Sequence, residues 1–291
     1  LSIDIDIIVP KSVTIAEINE ILKNIVRTSS FTRYEEQERH YSQIPKAHFK
    51  LFYESPFDQS EVYVLLDVLF EENPYSRLDS TDIVCPFIDT IPPNVTVKVP
   101  SIADILGDKL TAFAPNTTGI LYDKEKEMEI IKQLFDIESL FDQLSTTNGV
   151  KDTFIRCAEQ ELNYRQLTEM NYENVLDDIF KTAIIIGGRG SFDKETFLKL
   201  ENGIRRIKSH IINRNYIVEE AVVSASKAAY LSMLLKHQQD EIEKYHPKET
   251  LPELEGVPLF KKMAKIKNFS PEAYYYFAKA QELIRRSEKT K

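Results

Sequence analysis

The strongest constraint on this fold is a change of pattern near residue 150. Before it, short runs of β-branched and aromatic residues alternate with turn residues, which is typical of strands. After Asn148-Gly149, apolar residues recur with the helical period and strand patterns disappear. The sequence therefore predicts an α+β protein, with a domain of strands and helices over residues 1–147 and an all-helical bundle over residues 148–291.

The same periodicities predict the individual elements. Strands are predicted over residues 2–9, 48–53, 62–70, 82–87 and 95–99. Helices of the first domain are predicted over 16–26, behind Thr14 as N-cap, and over 102–113 and 124–144. Helices of the second domain are predicted over 152–162, 172–186, 194–212, 217–245 and 271–286. Pro92-Pro93 predicts a turn between the last two strands, because neither ring nitrogen can donate to a ladder.

Composition excludes several classes of protein. The 291 residues carry a net charge of −9 and are 42% hydrophobic, so the chain can bury a core. Its apolar runs are too short to span a bilayer, which excludes a membrane protein. Cys85 and Cys157 lie in no CxxC or Cys/His cluster, so we expect a reducing, cytoplasmic location. The chain starts at Leu1 within a strand-like alternation rather than a signal peptide, and we expect its true beginning to be missing.

Charge also divides the chain near residue 150. Residues 1–149 hold 13 basic and 25 acidic side chains, a net charge of −12, whereas residues 150–291 hold 24 and 21, a net charge of +3. The acidic half favours cations, and the mildly basic half favours contact with a polyanion. An RNA-facing surface is one interpretation of the basic runs, and solvated helix faces are the commoner one. The runs are Arg205, Arg206, Lys208 and Arg214, then Lys261, Lys262, Lys265 and Lys267, then Arg285 and Arg286.

The first strand holds the most informative residues. Because strand side chains alternate, Ser2, Asp4 and Asp6 share one face, while the isoleucines between them share the other. The two aspartates then lie about 7 Å apart, which is unfavourable unless a cation sits between them. A solvent-facing edge strand would show the same D-x-D pattern. Asp67, in the middle of another apolar strand, favours the alternative that these three acids hold Mg²⁺.

Two further charged residues lie on apolar helices. Lys109 stands among apolar positions of the helix after residue 101, where its ammonium could grip a nucleotide phosphate or simply snorkel to the surface. Asp136 lies at the border of a buried helix face, in Leu134-Phe135-Asp136-Ile137. It is a candidate to pair with Lys109 or to act as a base, with an ordinary surface acid as the alternative.

Taken in order, these motifs resemble the AbiEii/AbiGii-type nucleotidyltransferase toxins, over roughly residues 1–145. The matching features are the Ser-x-Asp-x-Asp strand, the later strand acid, the helical Gly107-Asp108-Lys109-Leu110 and the Lys132 to Ile137 helix. The resemblance implies a DNA polymerase β-like nucleotidyltransferase fold, with a mixed sheet flanked by helices and a helical C-terminal domain. Two departures stand out. The family's glycine motif before the D-x-D is absent from a chain that begins at Leu1, and Gln133 stands where the family often has an acid.

The resemblance also implies an activity. A nucleoside monophosphate would pass from an NTP to an acceptor with Mg²⁺ or Mn²⁺, and in related toxins the acceptor can be tRNA. Ser2 would contact the triphosphate and Lys109 a phosphate, Asp4 and Asp6 would hold metal, and Asp136 would serve the catalytic centre. A cognate antitoxin in a bacterial abortive-infection or toxin–antitoxin system is the implied protein partner. Two alternatives remain, a non-catalytic nucleotide- or protein-binding module and an enzyme that modifies a small molecule, as antibiotic-inactivating nucleotidyltransferases do.

Overall fold

The structure is a computed structural model that describes residues 4–37, 44–84, 89–211, 214–248, 250–252 and 263–289. By packing, the chain divides into a first unit, Leu1–Pro74, and a second unit, Tyr75–Lys291. These units differ from the domains proposed from composition, residues 1–147 and 148–291, and that domain assignment stays a prediction.

The first unit contains a four-stranded mixed sheet and one helix. The sheet order is β1-β4-β3-β2, with β1 parallel to β4 and the other neighbours antiparallel. The elements are β1 (Ile5–Val9), α1 (Ile15–Thr28), β2 (Arg33–Glu36), β3 (Lys46–Glu54) and β4 (Glu61–Phe70). This sheet confirms the predicted mixed-sheet architecture.

Helix α1 forms where the sequence places it. The Thr14 side chain accepts a hydrogen bond from the Glu17 backbone N–H, and the Glu17 carboxylate accepts one from the Thr14 N–H, which completes a capping box. Ile18 and Leu22, one turn apart, are buried against the sheet residues Phe49 and Val68. The α1 side of the sheet is therefore the core of the first unit.

Two of the sequence-based strand predictions need correction. β2 was not predicted, because Arg33-Tyr34-Glu35-Glu36 is polar and its strand conformation depends on pairing with β3. A strand is predicted over residues 82–87, but the strand in this region, β5, covers Leu78–Asp82. The observed strand therefore ends at the first residue of the predicted one. Residues 85–87 of that prediction lie outside the described residues.

The second unit begins with a hairpin and continues with helices. Strand β5 (Leu78–Asp82) pairs antiparallel with β6 (Thr96–Pro100), and Pro92-Pro93 lies in the connection between them. The helices are α2 (Ile102–Ala112), α3 (Glu127–Phe141), α4 (Val150–Tyr164), α5 (Tyr172–Gly187), α6 (Lys194–Ile207), α7 (Val218–Lys236) and α8 (Pro271–Lys289). No helix in the described ranges is both long and apolar enough to cross a bilayer.

Helix α7 is the centre of the helical packing. It is buried over nearly its whole circumference and packs against α3, α5 and α8. It is shorter than the helix predicted over residues 217–245, because Gln238 adopts a left-handed conformation and the chain then turns away. Beyond that turn, Glu241 bridges to Thr146, and the Ile242 N–H donates to the Ser145 carbonyl. These tertiary hydrogen bonds outweigh the helical pattern of the sequence.

A fully buried carboxylate anchors the start of the second unit. Asp104, on α2, accepts hydrogen bonds from the backbone N–H groups of Ser76 (2.7 Å) and Arg77 (3.2 Å) and from the hydroxyls of Ser101 and Thr153. Burial opposes its ionisation, but these four donors outweigh burial and hold the pKa of Asp104 below its ordinary value. The charged carboxylate therefore joins the segment before β5 to α2 and α4.

A second buried ionic cluster lies on α7. The Lys227 ammonium is almost fully buried and contacts the carboxylates of Asp142 (2.9 Å), Glu272 (3.0 Å) and Glu138 (3.5 Å). Arg214 adds a second cation to buried Glu138. Arg214 is thus part of this ion-pair network, with its side chain 33% exposed.

Candidate functional site

Strand β1 carries the predicted acidic pair at its beginning. Asp6 lies within β1 and is exposed, while Asp4 lies at the bend immediately before the strand and is partly buried. Ile5 and Ile7 point to the other face, where they line an apolar groove of about 380 Å³ beside α1. Ser2, the predicted triphosphate contact, lies outside the described residues.

The sheet brings Asp67 next to Asp6. The two residues are directly in register on the neighbouring parallel strands β4 and β1. Neighbouring strands are about 4.8 Å apart, and residues in register point to the same face, so the two carboxylates share one side of the sheet. That side is opposite α1, because the residues flanking them, Ile5, Ile7, Leu66 and Val68, face the groove or the core. Two like charges in register favour a cation at this position.

A histidine that no sequence pattern indicated lies beside Asp67. His48 is in register with Asp67 on the antiparallel strand β3, and its Nδ1 is 2.7 Å from Asp67 Oδ1. The His48 side chain is 13% exposed and that of Asp67 is 30% exposed. The sequence does predict strands over residues 48–53 and 62–70. Pairing them as a hairpin would have indicated that His48 lies opposite Asp67.

These residues supply two of the ligands that a hard divalent cation takes, and water or substrate phosphates would complete its coordination. Among the described residues, no group of three or more His, Cys, Asp or Glu side chains is arranged to hold a metal ion. Mg²⁺, however, is commonly bound through one or two carboxylates plus substrate phosphates and water. The carboxylates of Asp6 and Asp67 match that donor set, and Asp4 lies two residues before Asp6, at the bend that precedes β1.

The other two predicted site residues meet in the second unit. Lys109 extends from α2 and Asp136 from α3, and Lys109 Nζ is 3.4 Å from Asp136 Oδ2. The lysine side chain is 30% exposed and the aspartate 12% exposed. Lys109 and Asp136 thus form a partly buried ion pair. Pairing with Lys109 is one of the roles predicted for Asp136.

Unsatisfied acceptors lie along the same face of α3 as Asp136. Within the described part of the chain, Gln133 Oε1 and Glu129 Oε2 are buried and have no hydrogen-bond partner. Glu129, Gln133 and Asp136 are spaced i, i+4 and i+7, so they form one row along the helix. Buried acceptors are rarely left unpaired, so this row is suited to a ligand that donates hydrogen bonds. Glu129 was missed from sequence, although the helical spacing would have indicated it.

Comparisons with known proteins identify the family. The family model described as "Nucleotidyl transferase AbiEii toxin, Type IV TA system" matches residues 1–236. Searches of curated proteins and of solved structures found no match. The family match covers most of the 291 residues and includes Asp4, Asp6, Asp67, Lys109 and Asp136. The chain therefore belongs to the AbiEii nucleotidyltransferase toxin family of type IV toxin–antitoxin systems.

Proposed function

We propose that this protein transfers a nucleoside monophosphate from an NTP to tRNA with the help of Mg²⁺, as the toxin of a bacterial toxin–antitoxin pair. The observation that carries the proposal is the register of Asp6 and Asp67, which places two carboxylates side by side on one face of the sheet. Because the chain belongs to a nucleotidyltransferase family, the chemistry expected at that face is nucleotide transfer. An antitoxin protein is the proposed partner, and the cytoplasm, where NTPs and tRNA occur, is the proposed location.

Asp6 and Asp67, with Asp4, are the residues proposed to hold Mg²⁺ or Mn²⁺. When bound, such an ion neutralises charge on the triphosphate and polarises the bond to the leaving pyrophosphate. The contribution of the chain is to hold the carboxylates close together, so that they can bind a hard cation with a phosphate ligand. The strand register does this without any loop movement, since β1 and β4 are hydrogen-bonded neighbours.

Lys109 and Asp136 have separate proposed roles. A lysine ammonium is a compact point charge that can contact a phosphate oxygen while keeping other hydrogen bonds. The Asp136 carboxylate, 3.4 Å away, holds that ammonium in place. We therefore propose that Lys109 binds a phosphate and that Asp136 serves the catalytic centre by orienting Lys109. Ser2 stays a predicted triphosphate contact.

The proposed RNA acceptor is supported by an exposed basic surface. Arg206, Lys208 and His210 are all exposed at the end of α6 and in the short 3₁₀ turn after it. Arg205 is exposed as well, but it pairs with Glu201 on the same helix. Lysine and arginine side chains on one exposed segment favour contact with RNA phosphates, in a salt-dependent manner.

The decisive experiment is a labelling assay with matched variants. The full chain is incubated with each α-labelled NTP, Mg²⁺ and total bacterial RNA, beside Asp6→Asn, Asp67→Asn and the control Glu54→Gln. Glu54 is an exposed acid at the end of β3, in the same sheet but away from the acidic pair. We expect label in a tRNA-sized band with the wild type and the control, and at least a hundredfold less with either aspartate variant.

Other outcomes would contradict the proposal in distinct ways. Equal labelling by all four proteins would show that the acidic pair is not the catalytic centre. Label in a small molecule from a cell extract, and none in RNA, would replace tRNA by a small-molecule acceptor. Nucleotide binding without any transfer would indicate a non-catalytic module of the same fold.

A further inference from the structure

We propose that His48 is a positioning residue, which fixes the carboxylate of Asp67 for binding a divalent cation. This inference rests on the function proposed above. It concerns a histidine that the family resemblance does not mark and that the spacing of histidines in the sequence did not single out.

The strand order places three polar residues in one row. β1, β4 and β3 are consecutive strands of the sheet, with Asp6 in register with Asp67 and Asp67 in register with His48. Residues in register share a face, so all three side chains lie on the side of the sheet opposite α1. The row thus consists of exposed Asp6 on β1, Asp67 on the central strand β4 and His48 on β3.

The contact between His48 and Asp67 is a directed hydrogen bond. His48 Nδ1 lies 2.7 Å from Asp67 Oδ1. A carboxylate oxygen accepts hydrogen bonds, so the histidine tautomer that makes this contact carries its hydrogen on Nδ1. This contact fixes the rotation of the carboxylate about its terminal bond, which is otherwise a broad and soft torsion. The second oxygen, Oδ2, is then left for other ligands.

His48 does not belong to the hydrophobic core of its strand. Its neighbours Ala47 and Phe49 point the other way and are buried under α1, together with Leu51. The His48 ring is nevertheless largely buried, at 13% exposed, and the acid is its hydrogen-bond partner. A side chain held in this way has little rotamer freedom left, so it can orient its partner at low entropic cost.

Fixing a ligand before the cation arrives strengthens binding. Hydrogen-bonded partners behind a metal ligand orient it, and removing them typically weakens metal affinity about 10–100-fold. Asp67 stands between a like charge and a hydrogen-bond donor, so the loss of His48 would leave the carboxylate free to turn away from Asp6. We therefore expect His48 to affect cation affinity more than nucleotide affinity.

The test compares three substitutions of His48 in the full chain. His48→Asn would place an amide donor near the position of Nδ1, His48→Gln would place one farther out, near the position of Nε2, and His48→Ala would remove the donor. Mn²⁺ alone is the probe, and its binding is titrated by electron paramagnetic resonance. Asp67→Asn is the positive control, and His246→Ala, at an exposed histidine of the second unit, is the matched control. Circular dichroism checks that each variant folds.

We expect His48→Ala and His48→Gln to weaken Mn²⁺ binding about 10–100-fold, and His48→Asn to stay within a few-fold of the wild type. The same order is expected for the Mg²⁺ concentration that gives half-maximal nucleotide transfer, with little change in the KM for NTP. If His48→Ala does not fold, the difference between the asparagine and glutamine variants still decides the question.

Two results would overturn the inference, and they differ from a failure of the proposed function. Unchanged Mn²⁺ affinity in His48→Ala, with binding lost in Asp67→Asn, would show that Asp67 holds metal without help from His48. Equal behaviour of the asparagine and glutamine variants would show that a donor at the position of Nδ1 is not needed. Unchanged binding and transfer in Asp6→Asn and Asp67→Asn would instead refute the proposed function itself.

Discussion

Removal of the Asp104 carboxylate should destabilise the second unit strongly. The carboxylate is fully buried and accepts four hydrogen bonds, two from backbone N–H groups and two from hydroxyls. Asp104→Ala removes all four acceptor contacts and leaves the N–H groups of Ser76 and Arg77 buried without a partner. Asp104→Asn keeps the shape and one acceptor oxygen, so two of the four donors lose their acceptor.

The expected size of the effect follows from these contacts. An unsatisfied buried donor costs about 1–3 kcal/mol, whereas the hydroxyls of Ser101 and Thr153 can rotate toward other acceptors. We therefore expect Asp104→Ala to lower the free energy of unfolding by about 4 kcal/mol and Asp104→Asn to lower it by about 2 kcal/mol. Glu159→Gln, an exposed site on α4, should change it by less than about 0.5 kcal/mol.

Urea unfolding followed by circular dichroism at 222 nm measures these differences, because most helices belong to the second unit. With a urea dependence of about 2 kcal/mol/M, the transition midpoint should fall by about 2 M for the alanine variant and about 1 M for the asparagine variant. The wild type should also lose stability as the pH falls below about 4, since the pKa of Asp104 is lowered in the folded state and the charged form stabilises it. A midpoint for Asp104→Ala that matches Glu159→Gln would refute the reasoning.

Three further predictions concern other buried groups. Lys227→Ala should lower the unfolding free energy by about 1–3 kcal/mol, because Glu138 loses one of its two cations and keeps Arg214; a urea midpoint near that of the wild type would contradict this. Burial lowers the pKa of Lys244 to about 8. Between pH 8 and about 10 the unfolded chain therefore binds more protons than the folded chain, so stability should rise with pH over this window. Unfolding of Lys244→Met at several pH values should show a smaller rise, and an identical slope would argue against the assignment. Gly203→Ala should lower the melting temperature, because the added Cβ would lie 2.5 Å from the Glu127 carbonyl oxygen and such overpacking costs about 1–3 kcal/mol; an increase in melting temperature would show that α3 and α6 can separate freely.

Most of the fold was accessible from local sequence patterns. The capping box of helix α1 can be read from Thr14 and Glu17. The apolar residues of β3 alternate and are buried alternately, and β4 is a nearly continuous apolar run around Asp67. The errors occur where long-range contacts determine the secondary structure. The polar strand β2 exists because β3 pairs with it, and α7 ends early because the following residues bond to the segment at Thr146. A local sequence pattern does not show which distant segment a strand or turn will contact.

The candidate site was partly accessible for the same reason. Asp6, Asp67, Lys109 and Asp136 are conspicuous as charges within apolar elements, and a charge in such a place needs a partner. In the second unit the structure pairs Lys109 with Asp136, and in the first unit it places Asp67 beside His48 and in register with Asp6. His48 was missed because a histidine in an ordinary strand does not stand out until the strand register is known.

The parallel pairing of β1 and β4 has a consequence for the timing of synthesis. In the described sheet the strand of Asp6 has β4 as its neighbour, and Asp67 on β4 is made about 60 residues after Asp6. At elongation rates of about 5–20 residues per second, several seconds separate the two acids on the ribosome. β1 cannot join the sheet during this interval. In a nascent toxin chain, Asp6 and Asp67 therefore come to lie side by side only after β4 has emerged.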